Sequence, residues 1–205
     1  MLDEHGLLPC DDSLGRLDAW YADLSNNPNS IGLAVVSGPP EEKHRSVFRQ
    51  HLMQANARFR KASEVLELKY VRANSPGEIK IQLWRIPAGG GVPRIENVDN
   101  TFSLPGYIKP FRLGTEYPEF VDDICPGDRS EKSVFAAFLS DNPTARGNIV
   151  VRGRTLTLAK AKAARILRTL KGQYAIAGNR LHFFPRKRSV PLNNLEPIVE
   201  YWYLP

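Results

Sequence analysis

The sequence is short of the residues on which most metal, redox and membrane chemistry depends. Two cysteines in 205 residues, with no CxxC pair, cannot supply a zinc site by themselves. Four histidines, His5, His44, His51 and His182, are scattered along the chain. His44 and His51 share one predicted helix but stand two turns apart, too far to hold one ion at ordinary ligand lengths. All four read as surface or packed histidines. No apolar run approaches the roughly 20 residues that a membrane-spanning helix needs. Glycine-rich phosphate cradles of the GxxxxGK(S/T) or GxGxxG type are missing, and so is a GxSxG nucleophile elbow. Acidic pairs such as Glu41-Glu42 and Asp122-Asp123 sit at helix starts, where the macrodipole accounts for them. No constellation reads as an active site, so the chain is expected to be non-enzymatic and without a cofactor.

Met1-Leu2-Asp3-Glu4-His5 lacks the basic region and apolar core of a signal peptide. The expectation is a cytoplasmic protein if Met1 is the true start, or a periplasmic or outer-membrane-associated one if an export signal has been removed. Hydrophobic residues at 42% and charged residues at 24% are ordinary globular values. The net charge of +6 suits an anionic polymer, membrane surface or acidic protein. Nucleic acid is the lesser expectation, because neither zinc-finger spacing nor an RNP-type strand supports it.

What the chain does have is an internal repeat. Leu24-Ser25-Asn26-Asn27-Pro28 through Val35-Val36-Ser37-Gly38 recurs as Leu139-Ser140-Asp141-Asn142-Pro143 through Val150-Val151-Arg152-Gly153. The register extends backwards to Cys10 and Cys125, and a later match sets Trp84 against Trp202 in two final strands. Duplication of one supersecondary unit is the reading. It gives unit 1 over 1–88, an apolar connecting segment over 89–120, and unit 2 over 121–205. A Cys10–Cys125 disulfide follows if equivalent ends meet near a pseudo-twofold axis; two inherited buried thiols are the other reading.

Each unit reads as helix, strand, helix, strand, strand, an α+β arrangement. In unit 1, Asp11-Asp12-Ser13 offer N-caps for a helix carrying Leu14, Leu17, Tyr21 and Leu24, which Asn27-Pro28 stops. The β-branched run Gly32–Ser37 predicts a buried strand. A second helix from Glu41 to about Lys61 places Phe48, Leu52, Ala55 and Phe59 on one face, with Val47 and His51 alongside. Strands follow over Glu64–Arg72 and Glu78–Ile86, and Asn74-Ser75-Pro76-Gly77 predicts that they pair as an antiparallel hairpin. One further strand is expected near Tyr107–Leu113. In unit 2, Ser130 caps a helix with Val134, Phe135, Phe138 and Leu139. Asn148–Val151, Arg180–Phe184 and Pro197–Leu204 are strands, and Leu156–Lys171 is a helix. The strand–helix–strand crossover predicts a parallel pair, hence a small mixed sheet with two helices against it.

Unit 2 resembles the OmpA-like domain. The match rests on Leu139 with Asn142-Pro143, on Val150-Val151-Arg152-Gly153-Arg154-Thr155, on Leu158 to Ala163, and on Ile176 with Asn179-Arg180-Leu181. These resemble the family's "L…NP", "GHTD", "LSxxRA" and "GI…R" motifs, and cover about 75 residues of unit 2, and unit 1 more faintly through the repeat. The resemblance implies a periplasmic module that binds the diaminopimelate stem of peptidoglycan. Its ligand residues do not carry over: the family aspartate falls at Leu156 and its arginine at Lys162, with Val47 the repeat equivalent in unit 1. A leucine cannot replace the carboxylate, and a lysine is a poor bidentate donor. Ordinary peptidoglycan binding is therefore expected to be lost, leaving a cell-envelope scaffold or an accessory subunit that docks protein partners.

Two surfaces are binding candidates. One is the basic helix face of Lys160, Lys162, Arg165, Arg168 and Lys171, joined by Arg152 and Arg154; residual glycan binding would use it, with Lys162 in place of arginine. The other is a basic loop, Arg186-Lys187-Arg188, suited to phosphates of nucleic acid or anionic lipid. Trp84 and Trp202 read as core or inter-repeat packing.

Overall fold

A computed structural model describes residues 1–104, 106–116, 131–188 and 197–205. The chain divides at Thr101/Phe102 into two compact units. Unit 1 contains β1 (Asp3–His5), α1 (Cys10–Asn26), β2 (Ile31–Gly38), α2 (Lys43–Phe59), the single-turn α3 (Ala62–Val65), β3 (Glu67–Asn74) and β4 (Lys80–Ile86). Unit 2 contains β5 (Phe111–Glu116), α4 (Glu131–Asp141), β6 (Arg146–Gly153), α5 (Leu156–Gly172), β7 (Leu181–Lys187) and β8 (Ile198–Leu204). Each unit forms a four-stranded mixed sheet, ordered β1-β4-β2-β3 in the first and β5-β8-β6-β7 in the second. The architecture is α+β. Residues 89–101 stay with unit 1, while Phe102 to Glu116 belong to unit 2. Ser130, Cys125 and the Cys10–Cys125 pairing lie outside what is described.

Two expectations need correction. Unit 1 opens with a strand that the helix-first pattern omits, because β1 is three residues long and too short to show alternation, whereas unit 2 opens with β5, which overlaps the further strand expected near Tyr107–Leu113 but lies a few residues later. The expected β3–β4 hairpin does not form. Instead β2 lies between them, parallel to β3 and antiparallel to β4. The turn at Ser75-Pro76-Gly77 does reverse the chain. But β2 is buried along almost its whole length whereas β3 is half exposed, so the apolar strand takes the centre and the amphipathic one the edge. Unit 2 repeats the exchange, with β6 flanked by β7 and β8.

The two sheets share one register. Leu33 faces Trp84 and Gly32 faces Leu68; Asn148 faces Trp202 and Gly147 faces Leu181. The repeated Leu-Ser-x-Asn-Pro run is a helix stop in both. Asn27 Nδ2 donates to the Asp23 carbonyl at 2.7 Å, and Asn142 Nδ2 to the Phe138 carbonyl, also at 2.7 Å. Ser25 and Ser140 donate likewise to Tyr21 and Ala136. The Asn27 bond satisfies a carbonyl that the helix end leaves open, and the others bond back one turn into the helix. In unit 2, Arg180 adds a clamp, donating from Nε to Ala145 and from Nη2 to the Leu139 and Asn142 carbonyls at 2.7–2.8 Å.

Both crossovers of a unit run the same way across its sheet, so right-handed connections put both helices on one face. The packing agrees: Leu14, Leu17, Trp20, Tyr21 and Leu24 of α1 and Met53 and Ala57 of α2 meet Ala34, Val36, Ile81 and Leu83. In α2, Leu52 is buried as expected, together with Val47, Met53 and Ala57, whereas Phe59, also expected inward, is 69% exposed. Helix α1 begins at Cys10 after Pro9, with no side-chain cap, so Asp11 and Asp12 occupy its first turn rather than capping it. Glu64 and Val65 belong to α3 instead of the following strand.

Unit 1 seals the other face of its sheet as well. Leu33, Val35 and Ile86 are buried there against Val71, Trp84 and Ile95. Residues 97–101 run along β3: Val98 bridges Ala73, and the Asp99 amide donates to the Arg72 carbonyl at 2.9 Å. Lys43 Nζ fastens this segment from below, donating to Asp99 Oδ2 at 2.7 Å and Thr101 Oγ1 at 2.8 Å. Burial alone would raise the Asp99 carboxyl, but the bonds from Lys43 and Thr101 outweigh it and hold it down at about 2.

Candidate functional site

Unit 2 keeps the backbone of unit 1 but not the residues of this second face. At the positions of Leu33, Val35 and Ser37 on β2, strand β6 has Asn148, Val150 and Arg152. At the positions of Lys69, Val71 and Ala73 on β3, strand β7 has His182, Phe184 and Arg186. An apolar surface has become a polar, aromatic and cationic one. Phe184 is 39% exposed, with Val150 beside it in register and His182 and Arg186 two residues away on the same strand.

The centre of this face is ordered by Glu200. Arg152 Nε donates to its Oε1 at 2.9 Å and Trp202 Nε1 to its Oε2 at 3.2 Å. Burial would raise the Glu200 carboxyl; the bonds from Arg152 and Trp202 and the charge of Arg112 outweigh it, leaving it below the usual range. Arg112 pairs in register with Trp202 and is exposed on the same face. Both tryptophans are half-buried, but Trp84 packs against Leu33, Val35 and Ile86, whereas Trp202 donates to a carboxylate.

The expected basic loop is mostly strand. Arg186 and Lys187 end β7, with Arg188 just beyond it, because a proline at Pro185 is tolerated on an edge strand. The parallel pairing sets Arg152 opposite Arg186 and Gly153 opposite Lys187, and the Arg188 amide donates to the Gly153 carbonyl at 2.8 Å. Two stretches far apart in sequence, 152–154 and 186–188, thus share one corner at the carboxyl ends of the parallel strands. The side chains of Arg154, Arg186, Lys187 and Arg188 make no ion pair among the described residues. The net charge follows the same division: from Phe102 onward sixteen Lys and Arg face nine Asp and Glu, against twelve and thirteen before it.

On α5, Lys160 and Arg165 are exposed as expected, together with Arg168 and Lys171. Lys162 is the exception. Its Nζ donates to Glu116 Oε1 at 2.7 Å, in a pair whose side chains are 10% and 16% exposed, and the Tyr201 hydroxyl donates to Glu116 Oε2 at 2.8 Å. Lys162, expected on the basic outer face, is thus turned inward and neutralised by this chain, and Leu156 is exposed. Glu116, Glu200, Arg112 and Phe184 escaped the sequence reading. The signal for Phe184 and Arg152 was the exchange of apolar or neutral residues for aromatic or charged ones within an otherwise matching repeat.

Among the described residues no group of three His, Cys, Asp or Glu gathers to hold a metal, and no helix is long and apolar enough to cross a membrane. His44 and His51 are instead largely buried and neutral, each held down at about 4 by burial first and then by neighbouring arginines. No protein-family model matches the chain, and no curated protein matches it.

Proposed function

We propose that this chain is a non-catalytic tandem of two degenerate OmpA-like units, acting in the cell envelope as a scaffold or accessory subunit of a larger assembly. The observation that carries the reading is the internal capture of Lys162 by Glu116 and Tyr201, which leaves no cation at the position where the family holds its ligand. A diaminopimelate carboxylate would have to displace an ion pair already shielded from water. In unit 1, Phe59 and Val65 are exposed on either side of Arg60-Lys61, apolar surface that a protein partner would cover. Pulldown of the purified chain on peptidoglycan sacculi tests the reading. The expected result is no retention above 150 mM salt, about the ionic strength at which surface charge alone is largely screened. Salt-resistant retention abolished by Lys162→Ala would sink it.

A second reading has its own support: the five cations Arg152, Arg154, Arg186, Lys187 and Arg188 converge on one corner of a unit that carries the whole positive excess. In this reading unit 2 binds an anionic polymer there. Retention on heparin resin that falls on charge reversal of Arg186 and Lys187 would support it; retention unchanged by the reversal would refute it.

A further inference from the structure

We infer that the sheet face of unit 2 that carries Phe184 binds single-stranded nucleic acid, stacking bases on Phe184 and Trp202 and holding phosphates on Arg112 and Arg186. The inference rests on the polyanion reading above and narrows it to one ligand class.

Four features lead to it. The centre of the equivalent face in unit 1, Leu33, Val35 and Val71, is apolar and packed, whereas unit 2 has Asn148, Val150 and Phe184 at those positions, so the exposed ring is a property of this unit and not of the fold. Phe184 stands within the sheet, flanked by His182 and Arg186, and is among the large apolar side chains left substantially in contact with solvent. Every base has a π-face, so a ring in this position serves any sequence, whereas a duplex hides its base faces. The cations here are arginines, whose planar fork engages phosphate oxygens in pairs. Among the described residues the carboxylate at the centre of this face, Glu200, is engaged on both oxygens by Arg152 and Trp202, so its charge is already matched. An anionic bilayer is the poorer fit, since Phe184 lies within the sheet rather than on a protruding tip.

The test is fluorescence anisotropy of the full chain with a labelled 20-nucleotide oligo(dT) or oligo(U). Competitors are a duplex of equal length, heparin, and vesicles of phosphatidylcholine and phosphatidylglycerol. Single strands are expected to bind more tightly than duplex, with affinity falling steeply in salt. Phe184→Ala should weaken binding at least about fivefold with an unchanged salt slope, and Phe184→Tyr should restore it. Arg186→Ala should lower the slope by about 0.7, the loss of one phosphate contact on a single strand. Lys69→Ala, at the position of His182 in unit 1, should change nothing. Equal binding of duplex, heparin and single strands with no effect of Phe184→Ala would overturn the inference while leaving the polyanion reading intact. Preference for vesicles would overturn it too. Failure to bind any of the four would remove both.

Discussion

Gly147 lies against the tip of the Phe135 ring, so close that a Cβ there would clash with Cζ. Gly32 has the same relation to Trp20 and Leu24, whose atoms a Cβ would meet at 2.8 and 2.6 Å. A helix of each unit thus rests on its central strand at a point where only hydrogen fits. Phe135 is fully buried and cannot swing away. Gly147→Ala is expected to destabilise unit 2 by about 2–3 kcal/mol through overpacking. Chemical denaturation monitored by circular dichroism would measure it; a variant of unchanged midpoint would show that α4 can lift from β6.

Lys162→Ala should cost about 2–4 kcal/mol, because it leaves Glu116 shielded with only the Tyr201 hydroxyl for company. The double variant Lys162→Met/Glu116→Leu should recover most of the loss, since two apolar residues leave no charge uncompensated. A double-mutant cycle on denaturation midpoints separates this structural role from one in ligand binding.

Arg180 joins three carbonyls around the end of α4. Arg180→Ala is expected to cost about 2–3 kcal/mol, and Arg180→Lys to recover less than half, because a single ammonium cannot span the same fork. Amide exchange at the end of α4 should rise in both variants; protection unchanged in Arg180→Ala would contradict the clamp.

Acid should weaken unit 1 before it weakens the carboxylates. His44 and His51 titrate at about 4 in the fold but near 6.5 once unfolded. Their folded values are depressed, so the unfolded chain takes up protons first as the pH falls. Stability is then full above about 6.5 and declines between 6.5 and 4, by up to about 3 kcal/mol per histidine before allowance for partial exposure. His51→Gln should flatten the decline. A urea midpoint constant between pH 7 and 4.5 would contradict it.

The repeat made the element order and the central strands readable, because residues such as Gly32 and Gly147, or Asn27 and Asn142, do structural work that tolerates few substitutes. Strand neighbours were not readable: Asn74-Ser75-Pro76-Gly77 encodes a reversal of direction, but whether a third strand enters the gap is decided by burial along β2, a tertiary property. The α2 face was legible only in part: Leu52 is buried as expected, but helical spacing does not say where a helix leaves the core, and Phe59, next to the C-cap Arg60, is exposed. Lys162 read as surface because its partner, Glu116, comes from a strand far earlier in the chain.

The strand order has a further cost in time. Among the described residues β1 pairs only with β4 and β5 only with β8, so the first strand of each unit waits for the last to slot in beside it. Neither half can zip up from a local seed. A nascent chain released before Leu204 would carry β5 with its hydrogen-bonding edge bare, a ready template for aggregation.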